Sequence, residues 1–114
     1  MARDKADLLQ GTLGMLILKS LIAQDLHGYS IARWIEDVTK QSLAIEEGSL
    51  YPALRRLEDR GLVESTWTMS ETSRRVRVYS LTRAGRTKLK AEATSWMEFT
   101  RAVTQVLRAE PALV

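Results

Sequence analysis

Ser49, Tyr51, Pro52, Arg55 and Arg56 are the residues whose types and spacing point most directly to chemistry. They lie in the run from Glu46 to Glu58, which reads as a short helix. At about 100° per residue, Leu50, Leu54 and Leu57 share one narrow sector. Pro52, Arg55 and Arg56 point away from it, with Ser49 and Tyr51 on the flanks. Arginines, a hydroxyl and a phenol on a leucine-anchored helix suit a DNA major groove, whose base edges and phosphates they can hydrogen-bond. The same pattern serves any surface helix, so this segment alone leaves both readings open.

A second basic element follows. Between Thr72 and Lys90 stand seven basic residues (Arg74, Arg75, Arg77, Arg83, Arg86, Lys88, Lys90) and no acid. Acids gather earlier, as Glu36 with Asp37, Glu46 with Glu47, and Glu58 with Asp59. A net charge of only +3 thus hides an asymmetry that favours a polyanionic partner. Enzyme chemistry finds little support. With no cysteine, one histidine and no metal-spaced carboxylates, the chain offers no evident nucleophile–base pair and no cofactor site.

The elements that must position these residues follow from periodicity. The chain has 114 residues, enough for one domain, and 45% apolar residues exclude a disordered chain. No stretch reaches the roughly 18 apolar residues of a membrane span. The start, Met1-Ala2-Arg3-Asp4-Lys5-Ala6-Asp7, is too acidic for a signal peptide, so a cytoplasmic protein is expected. Leu9, Leu13, Leu16, Ile17 and Leu21 predict a first helix over 7–23, and Ile31, Ile35 and Val38 a second from about Tyr29 to Val38. Pro52 predicts that the third begins at Gly48 or Ser49, with Ser49 as its N-cap. Gly61 predicts its left-handed end.

The period then changes to that of strands. Residues 62–68 and 75–81, joined by a polar turn, predict a hairpin with Val76 and Val78 on one side and Arg75, Arg77 and Tyr79 on the other. Thr82 can cap a final helix to about Ala109. Leu89, Ala93, Trp96, Thr100, Val103 and Leu107 form a heptad seam along it. A helix of about 40 Å cannot bury that stripe on one small domain, so a homodimer is expected. The fold class is therefore mainly α with a two-stranded β-wing. Residues 1–81 are expected to form a winged helix-turn-helix unit, and 82–114 a dimerisation helix packed with it.

These residues resemble the PadR-type transcriptional regulators. The resemblance is carried by Leu9-Gln10-Gly11-Thr12-Leu13, Leu26-His27-Gly28-Tyr29, Glu47-Gly48-Ser49-Leu50-Tyr51-Pro52-Ala53-Leu54 with Leu57-Glu58, Gly61-Leu62-Val63, Tyr79-Ser80-Leu81-Thr82 and Ala84-Gly85. The single C-terminal helix is similar to the small subfamily. The resemblance implies a dimeric bacterial repressor on a pseudo-palindromic double-stranded operator. Its third helix would insert by Ser49, Tyr51 and Pro52, with Arg55 and Arg56 following. Arg74 and Arg75 would form the wing contact, and Tyr29 would lie near the DNA backbone. Arg3 and Lys5 could add phosphate contacts, though no motif carries them.

The resemblance also implies an aromatic effector, sandwiched by tryptophans of the two C-terminal helices. Trp96 is then either a dimer-core residue or the ligand platform. Met15, Met97 and Phe99 are the further lining candidates, methionine being polarisable enough for the task. Gly14-Met15 departs from the family pattern; close approach of a partner helix would account for the glycine. His27 is read as structural, and Trp34 and Trp67 as packing or edge residues. The alternative function is a winged-helix module that docks proteins without an operator, which leaves the basic wing unexplained.

Overall fold

The computed structural model describes residues 2–112, with side chains at 9 and 11–112. Helix α1 (Ala2–Ser20) buries Leu13, Ile17 and Leu18 against the other helices. It starts earlier than the apolar period implied and ends three residues sooner. The amides of Leu21 and Ile22 turn back to the carbonyls of Leu18 and Lys19, which tightens and closes the last turn. The side chains of Arg3 and Lys5 lie outside the described residues.

Strand β1 (Leu26–His27) pairs antiparallel with β3 (Arg75–Leu81), and β2 (Val63–Met69) pairs with the other edge of β3. The β2–β3 hairpin is the expected two-stranded wing, and β1 adds a third strand to give the order β1-β3-β2. A two-residue strand has no alternation to read; it forms because β3 offers unpaired backbone groups beside it.

Helix α2 (Gly28–Val38) buries Ile31, Ala32 and Ile35. Val38 instead is 60% exposed, because the apolar stripe outruns the core and the chain turns off at Thr39. Lys40 and Gln41 adopt left-handed φ of 49° and 68° there. The connection is then anchored by Glu36, whose carboxylate accepts the Ile45 amide at 2.9 Å.

That anchor sets the start of α3 (Glu47–Asp59). The N-cap is Glu46, not Ser49, and its side chain makes no cap bond; its carbonyl accepts from the Ser49 and Leu50 amides. Pro52 thus sits well inside the helix, where it removes the bond to the Gly48 carbonyl. Both residues are on the exposed face, so water can satisfy that carbonyl. The C-terminus has a complete Schellman pattern: the Leu62 amide bonds the Leu57 carbonyl, the Gly61 amide bonds that of Glu58, and Gly61 has φ 72°.

Helix α4 (Arg83–Arg108) is locked to this turn. Thr82 Oγ1 donates to the Gly61 carbonyl at 2.7 Å and accepts the Gly85 amide at 2.9 Å. Leu89 is buried in the core of its own protomer, with Leu50, Leu54, Leu57 and Val63 among its members. Beyond Ala93 every residue to Arg108 is exposed except the half-buried Thr100. The outer part of α4 is an arm reaching away from the core, consistent with a longest dimension of 67 Å against 30 and 21 Å.

Candidate nucleic-acid interface

Tyr51 and Arg55 follow one another on the wet face of α3. Tyr51 is 45% exposed and its ring lies over Gly28, where a Cβ would stand 2.8 Å from Cε1. Gly28 therefore does more than start α2: its missing side chain is the seat of the tyrosine. Tyr29 beside it is exposed, and its phenol accepts a hydrogen bond from Arg33 at 2.9 Å while the same guanidinium lies 5.7 Å from the ring centroid. That hydrogen bond is the main cause that raises the Arg33 pKa further above its ordinary value. The pair presents a fixed phenol and a permanent cation at the start of α2.

The wing closes the other side. Its tip is held by the Ser70 amide on the Arg74 carbonyl at 2.8 Å and by the Arg74 amide on Ser70 Oγ at 3.2 Å. Antiparallel register sets Trp67 opposite Arg77. Trp67 stands on the wing 56% exposed, with the Arg75 guanidinium 4.7 Å and that of Arg77 5.5 Å from its ring. Arg77 is the joint between wing and helix: its Nε donates to Ser65 at 2.8 Å and it pairs with Glu58 of α3 at 3.5 Å. Glu58 also accepts from Ser65 at 2.7 Å. Tyr79 is buried below, and that burial pushes its pKa above the ordinary 10.0, with Arg77 opposing the shift.

Between α3, the start of α2 and the wing lies an open groove of ≈ 950 Å³. Tyr29, Tyr51, Arg55, Arg74, Arg75 and Arg77 all line it. Its acids are Glu58, already held by Arg77 and Ser65, and Asp59. Such a concavity can receive a phosphate backbone while the exposed edge of α3 reaches bases.

The sequence profile of the Transcriptional regulator PadR-like family matches residues 17–91, more than half of the chain. The chain belongs to the PadR-like family. PadR-like proteins are DNA-binding transcriptional regulators rather than enzymes. The fold agrees. A PadR family transcriptional regulator from Eggerthella lenta matches with a TM-score of 0.82 at 28% identity, over 96% of this chain and 93% of that one. A transcriptional regulator from Clostridium thermocellum matches with a TM-score of 0.80 at 30% identity, over 87% of this chain and 96% of that one. A 37.1 kDa protein in transposon Tn4556 of Streptomyces fradiae is 44% identical over 81 residues, which are 71% of this chain and 22% of that protein.

Other predicted residues of this PadR-like chain lie elsewhere. Ser49 and Pro52 are exposed on α3 outside the groove walls. Arg56 faces a second groove, of ≈ 610 Å³, between α1, α3 and α4, where it joins Met15, Arg60, Lys88, Trp96 and Phe99. Met97 is not among its lining residues; it borders a shallow concavity with Thr100, Arg101 and Arg108. Gly14 lines the second groove, and a Cβ on it would meet Leu57 at an ordinary 3.6 Å, so packing within the protomer does not demand glycine.

Of the predicted seam, Leu89 is already buried within the protomer, Ala93 and Thr100 are half-buried, and Trp96, Val103 and Leu107 are exposed. Phe99 and Val106 widen the exposed stripe, Val106 lying with Phe99 and Val103 on a second ladder that overlaps the first. Trp67 and Arg77 line the groove without having been singled out from the sequence as contacts, and Arg33 joins only through its hydrogen bond to Tyr29. The alternation of β3 already put Arg77 beside Arg75, whereas Trp67 carried no signal that separates an edge residue from a cation platform. Among the described residues no cluster is suited to a metal ion and no helix is long and apolar enough to cross a membrane.

Proposed function

We propose that this chain is a cytoplasmic, homodimeric repressor that reads a pseudo-palindromic operator. The observation that carries DNA reading is the convergence of Tyr29, Tyr51, Arg55, Arg74 and Arg75 from three elements on one groove. Ser49 and Pro52 add the leading end of α3 as it enters the major groove, and Arg56 a flanking phosphate contact. Residues 1–81 supply this unit and 82–114 the pairing helix. The bare arm supports pairing: Trp96, Phe99, Val103, Val106 and Leu107 form an apolar stripe without cover in the protomer. Ala93 and Thr100 extend that stripe inward. A pure protein-docking module has no use for a groove lined by four arginines.

Selecting bound duplexes from a genomic pool tests the reading, and an inverted repeat should emerge. If about six to ten phosphates are engaged, affinity should fall about 10³ to 10⁵-fold between 50 and 200 mM salt. Binding without a salt dependence would favour protein docking instead.

A small aromatic effector that relieves repression is favoured by one further observation. The second groove combines Trp96, Phe99 and Met15 with residues of α3 itself, so an occupant would touch the recognition helix directly. Met97, off the groove of its own protomer, would have to act from the partner's side. Quenching of tryptophan emission by planar aromatic compounds should be lost in Trp96→Ala; equal quenching in both proteins would exclude Trp96 as the platform.

A further inference from the structure

An exposed tryptophan between two arginines needs a reason beyond strand propensity. Trp67 and Arg77 are cross-strand partners, and Arg75 is one step along the same face of β3. Both guanidinium groups lie within the range, about 6 Å from the ring centroid, in which the ring quadrupole attracts a cation. The two arginines are held differently. Arg77 has Ser65 and Glu58 as well as the indole. For Arg75 the indole, at 4.7 Å, is the closer support and lies nearer to it than to Arg77. A stacked guanidinium uses its face and keeps its edge N–H donors and its full charge, whereas an ion pair would consume both.

We propose that Trp67 is a positioning residue of the DNA interface, holding Arg75 across the groove wall with its charge and donors intact for a phosphate. The inference rests on the DNA-binding reading and adds to it a residue that touches no base. Preplacing a long, rotamer-rich side chain lowers the entropy lost when the phosphate arrives.

The test uses the full chain and a fluorescein-labelled random-sequence duplex about three helical turns long, titrated by anisotropy at low salt. Trp67→Leu keeps apolar bulk and removes the π face, and should weaken binding about three- to tenfold. Trp67→Phe keeps a π face and should recover part of the loss. In an Arg75→Ala background Trp67→Leu should have no further effect, while in Arg77→Ala most of its effect should persist. Equal losses in the wild-type and Arg75→Ala backgrounds would reduce Trp67 to a structural role. Wild-type binding unchanged by Trp67→Leu would overturn the inference and leave the DNA reading standing. Failure of the wild type to bind the duplex at all would remove both.

Discussion

Replacing Gly85 with alanine sets helix propensity against packing, and the structure decides between them. Alanine is favoured over glycine in a helix by about 1 kcal/mol. At Gly85, however, a Cβ would fall 2.0 Å from the Leu62 carbonyl oxygen and 2.7 Å from Leu81 Cδ1. Carbon–oxygen contacts begin near about 3.3 Å, so α4 must back away by roughly 1.3 Å. The Leu62 carbonyl also accepts the Thr82 amide at 3.2 Å, and Thr82 bridges Gly61 and Gly85. Overpacking of this kind costs about 2–3 kcal/mol. Two weakened hydrogen bonds add about 2 kcal/mol. Subtracting the propensity gain leaves a loss of about 3–4 kcal/mol, out of the roughly 5–15 kcal/mol that holds such a domain together. At about 4 °C per kcal/mol the midpoint should drop by about 12–16 °C. Thermal unfolding followed by circular dichroism reads this directly. A midpoint within about 3 °C of the parent, or above it, would mean that the α3–α4 junction is not packed as described.

Gly28→Ala offers the contrast, because its clash is with the side-chain ring of Tyr51 and not with backbone. It should shift the melting midpoint by no more than about 4 °C yet weaken DNA binding, measured by anisotropy on a selected operator. On the same operator Arg55→Ala should cost about 1–3 kcal/mol if it reads a base, with relaxed specificity. Arg56→Ala, facing the other groove, should change affinity by no more than about threefold, in keeping with a rim charge. Val103→Asp with Leu107→Asp places charge on the bare arm; sedimentation should show monomers with intact helicity, and operator affinity should fall about 10²-fold or more as the two half-sites uncouple. Tyr79 titrates above 10.0 in the folded chain, so its stabilisation is complete below pH 10.0 and is lost as pH rises through the raised folded value. Urea unfolding across pH 9–11 should therefore show a shallower alkaline decline in Tyr79→Phe than in the parent.

Much of the frame was legible because its causes are local. Leucine spacing marked the buried side of α3, and the Arg60-Gly61-Leu62 step carried its Schellman end within six residues of backbone. Thr82 announced α4 by the same short-range logic. The alternation of β3 put Arg75 and Arg77 on one face before any fold was known. Ser49 misled because its hydroxyl suits a cap, while the real start was set at a distance, by the Glu36 carboxylate on the Ile45 amide.

What only the tertiary structure decided has one physical root: periodicity assigns a side chain to a face of its own element but not to the neighbour beyond it. Arg55 and Arg56 are about 100° apart on one helix, and the wing on one flank and α1 with α4 on the other send them to different grooves. Leu89 and Leu107 share a ladder, yet one is in the core and the other 78% exposed, since a heptad cannot say where the domain ends. Strand β1 exists only through the edge of β3, and Gly28 is needed only because Tyr51 comes to rest on it. The sequence alone determined the four helices, the hairpin and the wet, basic side of the recognition helix. Which cations face a common ligand was left to packing, because that depends on contacts between residues far apart in the chain.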